Sequence, residues 1–301
     1  MDDRRLIVGI GEALFDVFPT RERLGGAPLN AAVHARQLGN AAALVTRIGQ
    51  DPLGQNAMTT LSERGVDVGH VQQDPDLPTG AVLVDFDDAG EPTYQVAREV
   101  AWDYLQWDGD LDYLAAQCHG VCFGTLAQRN SQARNVIYRF VELSRRAVKL
   151  LDLNLRPPFY DRRLIEKSMA LADAAKLSRA EFEELGRMFG LDGEPRERAK
   201  LMMRRFKLDW LAVTAGAEGT AVHTPDAEHR GEPATATASG SPVGAGDAVA
   251  AALLHGVLRR WRWEQTIGLA NRVGAYVASH EGAIPELNES LQAAAQAPAA
   301  R

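Results

Sequence analysis

The chain lacks any apolar run long enough to cross a membrane: its 301 positions contain no stretch of about 18 or more apolar residues. Its opening, MDDRRLIVGI, also lacks the basic segment and long apolar core of a secretory signal. A cytoplasmic protein without membrane contact is therefore expected. Positive charge is not in excess, since 33 Lys and Arg against 40 Asp and Glu leave a formal net charge of -7. That balance argues against broad binding to nucleic-acid phosphates, which calls for a basic face. Cysteine is scarce. The two residues, Cys118 and Cys122, lie in CHGVCFGT with His119 between them. Read as a strand, the segment puts both thiols on one face about 13 Å apart, too far to share a metal, so buried free thiols are expected. The remainder, 46% hydrophobic and 24% charged, is ordinary globular composition with enough apolar residues for a sizeable core.

Apolar strand-like runs recur at 6 to 10, 43 to 49, 120 to 125, 148 to 154, 175 to 178 and 210 to 215, separated by stretches with helical spacing. Strands joined through helices predict a parallel sheet covered on both faces, with ligands beyond the carboxyl ends of the strands. Residues 79 to 97 break the rhythm. Two alternating runs flank DDAGEP, whose Asp, Gly and Pro predict a turn, so the segment reads as an antiparallel hairpin. Joined by residues 12 to 24, it would make a small second sheet, either an edge decoration or a lid.

Five segments carry chemistry. In GSPVGAGDAVAAALLHG, Gly244 and Gly246 precede Asp247 where loop becomes helix. An aspartate N-cap and a phosphate cradle both use the free amides of that helix start. In RLGGAPLNAAVHARQLGN, Pro28 and Gly39 bound a helix of about ten residues directly behind Gly25 and Gly26. Asn30 projects from its first turn with a donor and an acceptor, suited to vicinal hydroxyls or to local backbone bonds. His34, further along, reads as a surface or packing residue. The segment GIGEALFDVFP offers only a lone GxG without the helix start of a dinucleotide fingerprint, which excludes a nicotinamide site, and Asp16 beyond it can accept two hydroxyl hydrogen bonds, a turn or surface role being the default for a single Asp. LLDLNLRPPFY ends an apolar strand with Asp152, Asn154 and Arg156, which share one face if the strand persists until Pro157 and Pro158 stop it, and an ion pair between Asp152 and a neighbouring base is the plain alternative to a ligand role. WLAVTAGAEGT runs from Thr214 into a loop with Gly216 and Gly219.

Taken in order, RLGGAPLNAAVHARQLG, DLNLR, VTAGAEG and VGAGDA resemble the ribokinase-like, or PfkB, carbohydrate kinases, from about Leu6 to Pro285. GGAPLN, LDLNLRPPFY and PTYQVAREVAWDYL point to the bacterial fructokinase branch. The resemblance implies one α/β kinase domain over residues 1 to 301, with a central mostly parallel sheet flanked by helices. It also implies a small β-sheet lid built from about 12–24 and 79–103. It makes Asp247 the general base and the amides of Gly244, Ala245 and Gly246 an anion hole. Asp16, Gly25, Gly26 and Asn30 match sugar-contacting positions, with Tyr94 from the lid and Arg98 beyond it as further substrate candidates. Asn154 and Arg156 match positions near the phosphates. Ser178 and Glu181 belong to a motif whose acidic residue orders magnesium through water, and Thr214, Gly216, Gly219 and Asn271 match the nucleotide side.

The implied ligands are ATP, magnesium held through phosphates and water rather than by protein ligands, and a small sugar, with fructose first. The implied alternatives are 2-keto-3-deoxygluconate, whose carboxylate wants an arginine such as Arg98, and a catalytically weak sugar or nucleotide sensor. The sensor is motivated by three departures: Ser241 and Pro242 replace the family's usual Asp-Thr, and Ser178 replaces its usual Asn. The lost aspartate also weakens the case for potassium activation. An exposed lid face would favour a homodimer, since edge strands invite pairing.

Overall fold

The computed structural model describes residues 4–86, 92–236 and 240–299, with backbone alone at 84–86 and 92–94. Its strands are β1 (Leu6–Ile10), β2 (Leu14–Phe18), β3 (Arg21–Gly25), β4 (Ala41–Gly49), β5 (Val71–Asp74), β6 (Gly80–Phe86), β7 (Pro92–Val96), β8 (Gly120–Phe123), β9 (Val148–Asp152), β10 (Ala174–Ser178), β11 (Trp210–Thr214), β12 (Thr220–His223) and β13 (Glu228–Arg230). The helices are α1 (Ala27–Gln37), α2 (Pro52–Glu63), α3 (Gly109–Gln117), α4 (Ser131–Leu143), α5 (Arg162–Leu171), α6 (Arg179–Phe189), α7 (Pro195–Phe206), α8 (Ala245–Leu258), α9 (Trp263–Ala278) and α10 (Glu289–Ala295).

Among the described residues, nine strands form the main sheet in the order β13-β12-β11-β10-β9-β8-β1-β4-β5. All neighbours from β11 to β5 run parallel, and only β12 and β13 are antiparallel. Successive residues of one strand feed opposite layers. Ile7, Leu150, Ala174 and Ala212 pack towards α8 and α9, while Val8, Leu151, Ala175 and Leu211 pack towards α4, α6 and α7. The strands are apolar throughout because both faces are covered.

Helix α8 is the innermost. Ala248, Ala250, Ala251, Ala252, Leu253 and Leu254 are each fully buried, and these small side chains let α1 and α9 close around it. Gly9 answers the rejected dinucleotide reading with a packing role: a Cβ there would stand 2.1 Å from the Pro28 carbonyl of α1. Gly9→Ala is therefore expected to destabilise the fold by about 3 kcal/mol, the upper range for overpacking, read as a lower denaturant midpoint at unchanged slope.

The second sheet has the order β3-β2-β6-β7, with the hairpin pairing Val82 to Val96 and β2 joining it in parallel. The expected turn, at 87–91, lies outside the described residues. In cross-strand register Asp16 neighbours Val82, and Val82 neighbours Val96, so these three share a face.

Two local expectations fail. Cys118 is not on a strand with Cys122; it ends α3, and β8 starts only at Gly120. The thiols enter different core layers, both buried and free. Strand β9 likewise stops at Asp152, before the prolines, because Asn154 takes a left-handed φ of 42° that no ladder accommodates.

Candidate active site

A cleft of about 660 Å³ opens over the carboxyl ends of β9, β10 and β11, between them and the second sheet. Its walls come from four places: Leu14, Asp16, Val82 and Val96 of the second sheet, the Gly25–Asn30 segment, the loop after β9, and the loop entering α8.

The α8 entry corrects the aspartate-cap reading. Gly244 is the N-cap, with φ at 81°, and Asp247 sits in the first turn without capping the helix. A side chain on Gly244 would meet the Ala283 backbone at 2.6 Å, so the loop is pressed against that segment. No acceptor among the described residues engages the amides of Gly244, Gly246 or Asp247. Ala245 differs from the expectation: its N–H donates to the Pro242 carbonyl at 3.2 Å, and it does not line the cleft. The anion hole therefore reduces to the other donors of this helix start.

Asp247 is 9% exposed, and its Oδ2 accepts from Asn30 Nδ2 at 2.7 Å. Proximity to a helix N-terminus predicts an ionised carboxylate at neutral pH. The structure weakens that expectation, leaving the carboxylate only partly ionised at neutral pH. Burial, followed by repulsion from Asp152, raises the group to about 7, against the lowering influence of Asn30 and Lys176. Desolvation outweighs a dipole effect typically below about 2 kcal/mol.

Two residues absent from the sequence reading complete this floor. Glu12 is buried, accepts from Ala27 N at 3.3 Å through Oε1, and has no partner for Oε2 among the described residues. Burial raises it to about 7, opposed by backbone hydrogen bonds and Arg156. Lys176, inside β10, holds Asp152 at 2.9 Å. Burial disfavours the ammonium, but Asp152 more than offsets this and keeps Lys176 charged. The signals for both were present, an acidic residue within GIGEALF and a lysine within AAKLS, yet only the fold shows them to be buried.

The other expected residues divide. Asp16, Gly25, Gly26 and Asn30 line the cleft, as expected of a site facing the second sheet, and burial raises Asp16 against the pull of Arg156 and Arg23. Asn154, Arg156, Ser178, Glu181 and Thr214 also line it. Ser178 does what an asparagine there could do as a cap: its hydroxyl accepts from Glu181 N while Glu181 Oε2 accepts from Ser178 N at 2.7 Å. Glu181 Oε1 accepts from Leu155 N at 2.7 Å, so each oxygen already carries one amide and keeps a lone pair for water. This suits a magnesium ion brought in by phosphates and met through water, where the metal would neutralise phosphate charge.

Gly216, Gly219 and Asn271 stand outside the cleft lining. Asn271 Nδ2 lies 3.0 Å from where a Gly219 side chain would begin and donates to the Glu232 carbonyl at 2.8 Å. The side chain of Tyr94 is outside the described ones. Arg98 does not reach the cleft: its guanidinium lies 5.5 Å over the Phe159 ring, lining a neighbouring cavity of about 530 Å³. Its place after β7 carries it past the sheet edge. His34 is a buried packing residue, as read; Nε2 donates to the Ala283 carbonyl at 2.9 Å, and burial lowers it to about 4.

Comparison with known proteins agrees with this geometry. The pfkB family carbohydrate kinase profile matches residues 7–290. A fructokinase of Klebsiella pneumoniae is 32% identical, over 92% of this chain and 94% of its own length. Among solved structures, a fructokinase from Xylella fastidiosa with bound ATP superposes with a TM-score of 0.83 at 21% identity, covering 93% of this chain and 94% of the other. A fructokinase from Vibrio cholerae O395, in a form with fructose, ADP and calcium ion bound, superposes with a TM-score of 0.79 at 26% identity, covering 97% and 99%. The strand order, the polar cleft at the strand ends and the Gly-Asp helix start thus converge with a match over nearly the whole length, and the chain belongs to the pfkB family of carbohydrate kinases.

Proposed function

We propose that the protein phosphorylates a hydroxyl of a small sugar, with fructose as the preferred acceptor and ATP as the donor. The observation carrying this reading is the convergence of a buried carboxylate, Asp247, with unengaged amides at the start of α8, inside a cleft whose other wall offers Asp16 and Asn30. Asp247 removes the proton of the attacking hydroxyl. The sugar oxygen forms a bond to the terminal phosphorus of ATP, the bond to the bridging oxygen breaks, and ADP departs with that electron pair. Such transfers need positioning and charge stabilisation more than covalent work. The loop amides meet the developing charge.

Fructose is favoured over 2-keto-3-deoxygluconate because Arg98, the arginine offered for a carboxylate, sits in the neighbouring cavity. The curated fructokinase relatives support the same choice. The second sheet, with Asp16 facing the cleft, is assigned as the lid of a single kinase domain. The test is a panel of sugars with ATP, monitored for ADP release. Fructose is expected to give the highest kcat/KM; a keto acid that outpaces it would reassign the substrate, and thermal stabilisation by ligands without ADP release would make the protein a sensor.

A further inference from the structure

We infer that Lys176 is a catalytic residue whose ammonium contacts the phosphoryl group held at the Gly244–Asp247 loop. The inference rests on the kinase reading above. Lys176 rises from β10 into the cleft floor, and its Nζ lies 3.2 Å from where a Cβ on Gly246 would stand. Nothing but the bare glycine separates the ammonium from the anion loop. An ammonium has three donors. One meets Asp152, and no other acceptor among the described residues takes the remaining two.

Packing alone does not account for the pair. Lys176 and Asp152 side chains are 6% and 2% exposed, and well-packed apolar residues commonly serve stability as well as a buried ion pair or better. Charge balance gives a second reason. Glu12, Asp152, Asp247 and Glu181 all border this end of the cleft, against Lys176 and the exposed Arg156. A phosphoryl group entering among those carboxylates needs a nearby cation, and Lys176 is the buried one in the described lining. Asp152 then acts as a positioning residue that fixes the ammonium beneath Gly246.

The test compares Lys176→Met/Asp152→Asn with the parent. The double variant removes both charges together, so neither is left buried and unpaired. We expect a melting temperature within a few degrees of the parent, kcat lower by about 30-fold or more, and ADP affinity within about threefold. A purely structural pair predicts instead that the double variant recovers parental turnover, and kcat within about threefold would overturn the inference. An equal loss of ADP affinity would overturn it as well. If the double variant does not fold, the parent answers directly. In 15N-lysine-labelled protein, the Lys176 Nζ resonance should move when a non-hydrolysable ATP analogue binds with sugar and stay in place with ADP and sugar; an unmoved signal in both cases refutes the contact. An active parent beside an active double variant removes only the part given to Lys176, whereas a parent that releases no ADP on any sugar removes the kinase reading beneath it.

Discussion

Asp247→Asn is expected to lower kcat by about 100-fold or more, the loss typical of a general base, while sugar affinity stays within about threefold. Asparagine keeps the shape and can still bond Asn30, now 2.7 Å from the aspartate Oδ2, but it cannot take a proton. The same substitution should stabilise the fold. The Asp247 carboxyl is raised to about 7 in the folded protein, above its ordinary 3.8, chiefly by burial. Such a group contributes stability that is fully present below its unfolded pKa and lost as pH rises through the folded one. At pH 8 the parent therefore carries a buried, repelled carboxylate that the variant lacks. Melting curves should show Asp247→Asn several degrees above the parent at pH 8, with the gap closing towards pH 5. Turnover within a few-fold of the parent would remove the base from residue 247; a variant that melts lower at pH 8 would show that burial does not set this titration.

The second expectation concerns the pH dependence of the parent. The profile of kcat/KM reports ionisations in the free enzyme, and the base must be unprotonated to act. With Asp247 raised to about 7, log kcat/KM should climb with unit slope up to that pH and then level. Between pH 7 and pH 5 the fall would be about 50-fold, because half of the base is already protonated at pH 7 and the limb reaches a factor of ten per unit only below that. Glu12 is also raised to about 7, and each carboxylate discourages ionisation of the other, so the limb belongs to the group of acids rather than to one residue. Glu12→Gln removes one of those repulsions and should shift the limb to lower pH without abolishing it. A profile flat down to pH 5.5 would contradict a raised base.

The fold class was readable from the chain because it depends on local pattern. Apolar runs at the six predicted positions all became strands of the main sheet, and the hairpin around 87–91 entered a separate sheet, since period-2 alternation and turn residues act over a few positions. The same locality shows in the helix ends: Pro28 at the start of α1, and the reciprocal Ser178 and Glu181 bonds at the start of α6. Boundaries were less legible. β9 stopped two residues early because the backbone of Asn154 turned left-handed, and Cys118 became the C-cap of α3 because only two residues, Cys118 and His119, separate helix from strand there.

Sequence by itself determined which residue types stand at the strand ends and at the α8 entry, and through them the family of the chain. Tertiary structure alone decided their chemistry. Asn30 and Asp247 are 217 positions apart and share a hydrogen bond; Lys176 and Asp152 meet across adjacent strands; Glu12 loses its water beneath α1; Arg98 is carried into another cavity. The physical reason is that helix and strand preferences are set by near neighbours along the chain. The charge state of a carboxylate is set by how much water it loses and which charges surround it, and both depend on segments that only folding brings together.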